Sequence, residues 1–186
     1  MATPLHVLGF AGSLRKASYN GAVLRAAVEL APADVRIETF DLHGIPLYDG
    51  DVEAAGLPEA VQRFRARIAA ADALLIVTPE YNYSMAGVLK NAIDWASRPP
   101  DQPFRGKPVA IAGASAGGFG TARAQYHLRQ TCVYLDMLPL NKPEVFVSAA
   151  HQKVDAEGRL SDEPSRAAIR ALLEALAAWA RRLGRA

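Results

Sequence analysis

The sequence predicts an α/β fold, a three-layer sandwich in which a five-stranded parallel sheet of strand order 2-1-3-4-5 lies between helices. Apolar strand patterns alternate with helical patterns along all 186 residues, as in parallel β-α-β units with right-handed crossovers. The first, third and fourth strands are almost wholly apolar, which is expected where helices cover both faces of a sheet. The second strand alternates apolar and polar residues, which places it at an edge and favours this winding.

The expected strands and helices follow one another with short connections. We expect strands over 5–10, 35–40, 73–78, 108–113 and 144–147. We expect helices over 20–31, from 58 onward, and over 85–97, 121–135 and 164–183. Pro58 suits a helix start, because proline lacks the N–H that a first turn leaves unpaired. Trp179 falls on the apolar face of the last helix and is expected in the core. Irregular connections are expected over 44–56 and 148–162.

Composition and charge exclude several classes of protein. The length and the 51% hydrophobic content are those of one globular domain spanning residues 1–186. A net charge of +2 without a basic run argues against nucleic acid as a partner. No apolar run is long enough for a membrane span, and no signal peptide is visible. Cys132 is the single cysteine, so we expect no intrachain disulfide, a buried thiol and a cytoplasmic location.

Three loops are expected to meet at one end of the sheet. In the predicted winding, the loops after strands one, three and four converge at the carboxyl ends of the strands, where open α/β sheets bind ligands. These loops are the richest in polar, glycine and aromatic residues. The position of all three loops at one end of the sheet is stronger evidence for a ligand site than any single loop. Together they suit a mononucleotide, with its phosphate on the first loop and a flat ring between the other two.

The first loop, over 11–20, has the composition of a phosphate site. Gly12 allows a sharp turn off the strand, and the helix that begins near Tyr19 directs free N–H groups at the same place. Hydroxyl, amide and guanidinium donors come from Ser13, Arg15, Ser18 and Asn20. The loop is neither a P-loop nor a dinucleotide fingerprint. A capping loop, with Ser18 or Asn20 as the N-cap and Arg15 in solvent, remains an open alternative.

The other two loops suit a flat ring. Residues 79–84 read Pro-Glu-Tyr-Asn-Tyr-Ser, and two tyrosines with an amide and a carboxylate can enclose a heteroaromatic ring. The alternative there is a helix cap at Ser84 with the tyrosines packed on the surface. Residues 114–120 carry three glycines, which let the backbone approach a ligand closely. Phe119 either covers the ring or packs against the protein, and the sequence leaves both open.

These segments, together with the run from Gly87 to Trp95, resemble the NADPH-dependent FMN reductase family, and within it the bacterial NAD(P)H quinone and chromate reductases. The resemblance covers about residues 5–150 and implies a flavodoxin-like fold with bound FMN. Ala86 stands where many members have proline, and Tyr19 stands where phenylalanine is common. Neither departure removes a donor to the flavin.

The resemblance implies the FMN contacts residue by residue. The phosphate contacts fall on the first loop, at Ser13, Arg15, Ser18 and Asn20, and Tyr19 of the same loop is a further cofactor-binding residue. The ribityl chain and the ring are assigned to Pro79, Glu80, Tyr81, Asn82, Tyr83, Ser115 and Gly117. No metal and no catalytic side chain are implied, because the flavin carries the chemistry. Arg15 is assigned either to the FMN phosphate or to the extra phosphate of NADPH.

The implied activity is a ping-pong reaction. NADPH or NADH delivers a hydride to flavin N5 and leaves, and a small-molecule electron acceptor takes its place: a quinone, chromate, an azo compound or free flavin. Two alternatives stay open, a non-catalytic flavin-binding regulatory module and a flavodoxin-like electron carrier. The slightly basic charge disfavours the carrier, since such carriers are usually acidic.

The family is oligomeric, so a homodimer or homotetramer is expected. Arg123, Tyr126 and Arg129 share one helix face, which suits either a subunit contact or solvent.

Overall fold

The structure, a computed structural model, describes residues 3–184. The strands are β1 (Leu5–Ala11), β2 (Val35–Phe40), β3 (Ala73–Val77), β4 (Glu80–Tyr81), β5 (Ser84–Met85), β6 (Pro108–Ala114), β7 (Leu138–Pro139) and β8 (Val145–Val147). The helices are α1 (Tyr19–Glu29), α2 (Gly50–Ala55), α3 (Glu59–Ala70), α4 (Gly87–Ala96), α5 (Ala122–Tyr134) and α6 (Glu163–Arg182).

The main sheet is parallel and has the order β2-β1-β3-β6, with β7 and β8 both beside β6. Strands β4 and β5 form a separate hairpin outside this sheet. The predicted fourth strand is therefore β6, and the predicted 2-1-3-4-5 winding is confirmed. The fifth position is divided, since β7 pairs with the start of β6 and β8 pairs with its end. The sequence predicted β8, as a strand over 144–147, and did not predict β7.

Two apolar clusters cover the two faces of this sheet. Alternate strand residues such as Val7 and Leu75 pack against α1 and α6, while Leu8 and Ile76 pack against α3, α4 and α5. Because both faces are buried, the central strands are nearly continuous apolar runs. Cys132 lies in the second cluster, where desolvation raises the pKa of its thiol to about 12. The thiol is therefore buried and protonated, as expected from the sequence.

Three details differ from the sequence-based expectations. The connection over 44–56 contains helix α2, none of whose residues is buried, so no apolar periodicity marks it. The connection over 148–162 contains a short 3-10 helix, Ala150–Gln152, and an isolated bridge between Val154 and Leu160. Trp179 is half-buried, and its indole N–H donates to the carbonyl of Leu138 at 2.9 Å.

Among residues 3–184, no helix combines the length and the apolar character that a membrane crossing requires.

Candidate functional site

A cavity of about 240 Å³ opens at the carboxyl ends of β1, β3 and β6. It is lined by Ser13, Arg15, Ser18, Tyr19, Asn20, Pro79, Glu80, Tyr81, Ala114, Ser115 and Ala116. All three predicted loops therefore contribute to one cavity. Of the predicted site residues, only Asn82, Tyr83 and Gly117 are not part of its lining, and each lies within two residues of one that is.

Gly12 lets the first loop leave β1 close against α4. Its N–H donates to the carbonyl of Val77 at 2.9 Å. A Cβ at this position would lie 2.9 Å from Cβ of Leu89 and 3.3 Å from Cδ of Pro79. The close approach of the loop to Leu89 on α4 therefore requires glycine.

Ser18 is the N-cap of α1, so the capping alternative holds for this residue. Its hydroxyl oxygen accepts from the N–H of Gly21 at 3.1 Å. Capping uses the hydroxyl as an acceptor and leaves its proton available for a ligand. Tyr19 and Asn20, the first residues of the helix, line the cavity, so the free N–H groups of the first turn lie beside it.

Asn20 joins the first loop to the end of β6. Its buried amide accepts from the N–H of Ala114 at 2.8 Å and donates to the carbonyl of Ala114 at 2.9 Å. These bonds hold two loops of the cavity together, while a direct phosphate contact by Asn20 stays a prediction.

Arg15 is an exposed cation at the edge of the cavity. Its guanidinium carbon lies 4.9 Å from the centre of the Tyr19 ring. Within residues 3–184, no carboxylate lies within ion-pair distance of it. The side chain is therefore free to meet an anion from outside the protein.

Residues 80–85 form a tight β-hairpin, in which β4 and β5 pair antiparallel. The two turn residues are left-handed, with φ of 49° at Asn82 and 67° at Tyr83. This is the conformation of a type I′ turn, which asparagine tolerates and tyrosine adopts only with strain. The turn leaves Tyr81 and Tyr83 exposed. Ser84 is not the helix cap, because α4 has Ala86 as its N-cap.

Glu80 turns its carboxylate toward the start of α5. The side chain is only 6% exposed and forms an ion pair with the guanidinium of Arg123. It also accepts from the backbone N–H groups of Arg123 at 3.1 Å and Ala124 at 3.2 Å. A carboxylate at a helix N-terminus is favourable, so Glu80 fastens the hairpin to α5. A direct flavin contact by Glu80 stays a prediction.

The third loop presents open backbone. The hydroxyl of Ser115 accepts from the N–H of Gly117 at 3.0 Å, which rounds the chain into a tight turn. A Cβ added at Gly118 would meet no atom within 4 Å, so a ligand can approach the backbone there. Phe119 is exposed rather than packed in the core.

The donors suit a nucleotide that carries a flat ring. Hydroxyl, amide and guanidinium groups of the first loop line the cavity together with Tyr81 of the hairpin and Ser115 of the third loop. Residues 3–184 contain no group of three His, Cys, Asp or Glu side chains that could hold a metal. Fold and site together define a doubly wound α/β protein with a polar cavity at the strand ends, where proteins of this class bind their ligands.

Comparisons with known proteins identify the family. The family model for NADPH-dependent FMN reductase matches residues 5–152. The chain is 64% identical to an NAD(P)H-dependent FMN reductase of Pseudomonas aeruginosa, over 98% of this chain and 99% of that protein. It is 48% identical to the quinone reductase of Escherichia coli K12, over 88% of each chain.

A solved structure gives the same result. The flavoenzyme NAD(P)H:(acceptor) oxidoreductase FerB from Paracoccus denitrificans superposes with a TM-score of 0.84 at 35% identity, over 96% of this chain and 98% of that one. The chain therefore belongs to the NADPH-dependent FMN reductase family, a family of NAD(P)H-dependent flavoenzymes with a flavodoxin-like fold, as the resemblance implied.

Arg123 is the site residue whose role the sequence did not reveal. The sequence left it either in a subunit contact or in solvent, and did not indicate its ion pair with Glu80, 43 positions earlier in the chain. No local pattern signals a contact over that separation.

Proposed function

We propose that the cavity binds one FMN and that the protein uses it to reduce quinones with NAD(P)H. The observation that carries the proposal is the meeting of three loops at one cavity, which is lined by phosphate-type donors of the first loop, by Tyr81 of the hairpin and by Ser115 of the third loop. Bound FMN would supply a ring that accepts a hydride from nicotinamide and passes two electrons on. The balanced reaction is NAD(P)H + quinone + H⁺ → NAD(P)⁺ + hydroquinone.

The names of the relatives support a quinone as the acceptor. The Escherichia coli relative is named a quinone reductase, and a relative from Solanum tuberosum, 46% identical, is named an NAD(P)H:quinone oxidoreductase. Chromate, azo compounds and free flavin are the other acceptors that we propose to compare by their kcat/KM. One open cavity would serve both substrates in turn, so a ping-pong cycle is proposed. Parallel double-reciprocal plots would support it, and intersecting plots would contradict it.

The residues of this chain divide into holding and positioning groups. Ser13, Arg15 and Ser18 would bind the phosphate, together with the N–H groups of the first turn of α1. Pro79, Tyr81 and Tyr83 would flank the ring from the hairpin, with Asn82 setting the turn between the two tyrosines. Ser115 and Gly117 would approach the ring from the opposite loop, where backbone N–H groups favour negative charge. Asn20 and Glu80 would act by holding these loops in place.

Stopped-flow mixing tests the proposal directly. The FMN-loaded protein is mixed with NADPH or NADH without oxygen, and then with a quinone. We expect the visible flavin absorbance to be lost with the nicotinamide and restored by the quinone. A flavin that is bleached by neither nicotinamide would overturn the enzyme proposal.

A variant of Arg15 decides between its two assignments, the phosphate of FMN and the extra phosphate of NADPH. If it binds the FMN phosphate, Arg15→Ala raises the Kd for FMN by about tenfold, because a charge-assisted hydrogen bond is lost. Lys16→Ala, its exposed neighbour, is the control. An unchanged Kd for FMN with a raised KM for NADPH, but not for NADH, would move Arg15 to the extra phosphate of NADPH.

We also propose a homodimer or homotetramer of one-domain subunits in the cytoplasm. Helix α5 exposes Tyr126, and at its end Val133 and Tyr134 are 79% and 87% exposed, which suits a contact between copies. Light scattering coupled to size exclusion measures the mass. A monomer at micromolar concentration would contradict this assembly.

A further inference from the structure

Arg123 lies against two aromatic rings, one from the tyrosine hairpin and one from the third loop. Its guanidinium carbon is 3.7 Å from the centre of the Tyr83 ring and 4.5 Å from the centre of the Phe119 ring. Tyr83 belongs to the hairpin that contributes Glu80 and Tyr81 to the cavity. Phe119 belongs to the loop that contributes Ser115 and Ala116. One guanidinium therefore contacts two segments that each contribute residues to the cavity.

The position of Arg123 is itself fixed. The guanidinium is paired with the nearly buried carboxylate of Glu80, whose other oxygen accepts from the backbone N–H of Arg123. The side chain is thus held at both its backbone and its charged end. A cation held in this way can order exposed rings that pack against it.

The two rings need such support. Tyr83 and Phe119 are each 66% exposed, far more than large aromatic side chains in a core. Tyr83 also has a strained left-handed backbone. Exposed rings at the entrance of a binding cavity offer flat apolar faces on which a planar molecule can stack.

We propose that Arg123 is a positioning residue which holds Tyr83 and Phe119 as an aromatic rim, and that this rim selects planar aromatic acceptors. The proposal rests on the proposed quinone reduction and adds a determinant of acceptor specificity. Arg123 acts through the two rings and takes no part in electron transfer. A compact inorganic acceptor such as ferricyanide has no flat face to stack, so it does not depend on the rim.

The test compares a planar naphthoquinone with ferricyanide in the FMN-loaded enzyme. Arg123→Gln removes the cation, and we expect the KM for the naphthoquinone to rise about tenfold with kcat little changed, because two cation–π contacts are lost. Both acceptors are assayed at saturating FMN, because the loss of the ion pair with Glu80 also loosens the hairpin, and under this condition the KM for ferricyanide stays within twofold. Arg123→Lys keeps the charge without the planar fork and restores part of the effect.

Two further variants separate the rim from folding. Phe119→Leu and Tyr83→Leu each remove one ring while Glu80 and Arg123 stay paired, so each is expected to raise the naphthoquinone KM about threefold. The matched control is Arg170→Gln, an exposed arginine on α6 with the same loss of charge. These variants keep the proposal testable if Arg123→Gln does not fold.

Each outcome decides the matter. A selective rise in the naphthoquinone KM in the rim variants, absent in the control, supports the proposal. An equal change for both acceptors, or ring variants that behave as the unchanged protein, overturns it. Failure of the unchanged protein to bind FMN or to oxidise NAD(P)H would instead overturn the proposed function, so the two failures are distinguishable.

Discussion

The first loop and the tyrosine hairpin lie at the same cavity but are held in opposite ways. Buried polar groups anchor the first loop: Ser18 caps α1, and both ends of the Asn20 amide bond to the backbone of Ala114. The hairpin is exposed, has two left-handed residues in succession and is fastened through the ion pair of Glu80 with Arg123. The rigid first loop suits a cofactor that stays bound, whereas the exposed hairpin suits substrates that bind and leave in each cycle.

The largest expected effect lies at the end of β6, at Gly113, next to the Ala114 backbone that anchors the first loop. A Cβ on Gly113 would lie 2.0 Å from Oγ1 of Thr121 and 2.4 Å from the carbonyl oxygen of Thr78. Gly113→Ala is therefore expected to lower the free energy of unfolding by at least about 3 kcal/mol, since the Thr121 side chain and the Thr78 backbone are both buried and have no room to move. Urea denaturation measures it.

Gly118→Ala is the matched control for this experiment, because its added Cβ meets no atom within 4 Å. A stability loss for Gly113→Ala no greater than that of the control would show that the end of β6 is not rigid.

The second effect concerns Asn20, whose amide joins the first loop to the backbone of Ala114. Asn20→Ala leaves the buried N–H and carbonyl of Ala114 without their partner. We expect the free energy of unfolding to fall by about 2 kcal/mol, the usual cost of stranding buried polar groups. The exposed Asn141→Ala should change stability by less than about 0.5 kcal/mol. If both variants unfold at the same urea concentration, the hydrogen bonds between Asn20 and Ala114 do not stabilise the fold, and the prediction is wrong.

The smallest effect on stability is expected in the hairpin. Tyr83→Gly relieves left-handed strain worth about 1 kcal/mol and loses a cation–π contact of similar size. The free energy of unfolding should thus change by no more than about 0.5 kcal/mol, while the KM for a planar quinone rises. Ala149→Gly, also left-handed, removes strain without removing a ring. A loss above 2 kcal/mol for Tyr83→Gly would show that the hairpin is part of the stable framework.

Much of the fold could be predicted because the central strands are buried on both faces. That burial makes the sequences of the central strands apolar. The second strand alternates apolar and polar residues, which indicates that it lies at the edge of the sheet. Strand β7 escaped prediction because Leu138–Pro139 is two residues long and carries no periodicity. Helix α2 escaped because it buries no side chain.

The candidate site was predictable in composition but not in contacts. Loop sequences after three strands showed which residues would meet, because parallel strands end at the same edge of a sheet. They did not show that Asn20 bonds to Ala114 or that Glu80 pairs with Arg123, since these partners lie 94 and 43 positions apart. The hairpin had one local signal, the asparagine at the first position of a type I′ turn.

A flavin titration of the apoprotein tests the central claim most directly. Quenching of flavin fluorescence would be followed with FMN and, in parallel, with riboflavin, which lacks the phosphate. We expect one FMN per chain and at least about tenfold weaker binding of riboflavin, because the first loop would have no anion to hold. A folded protein that binds neither flavin, or that binds both equally well, would contradict a phosphate cradle at the end of this sheet.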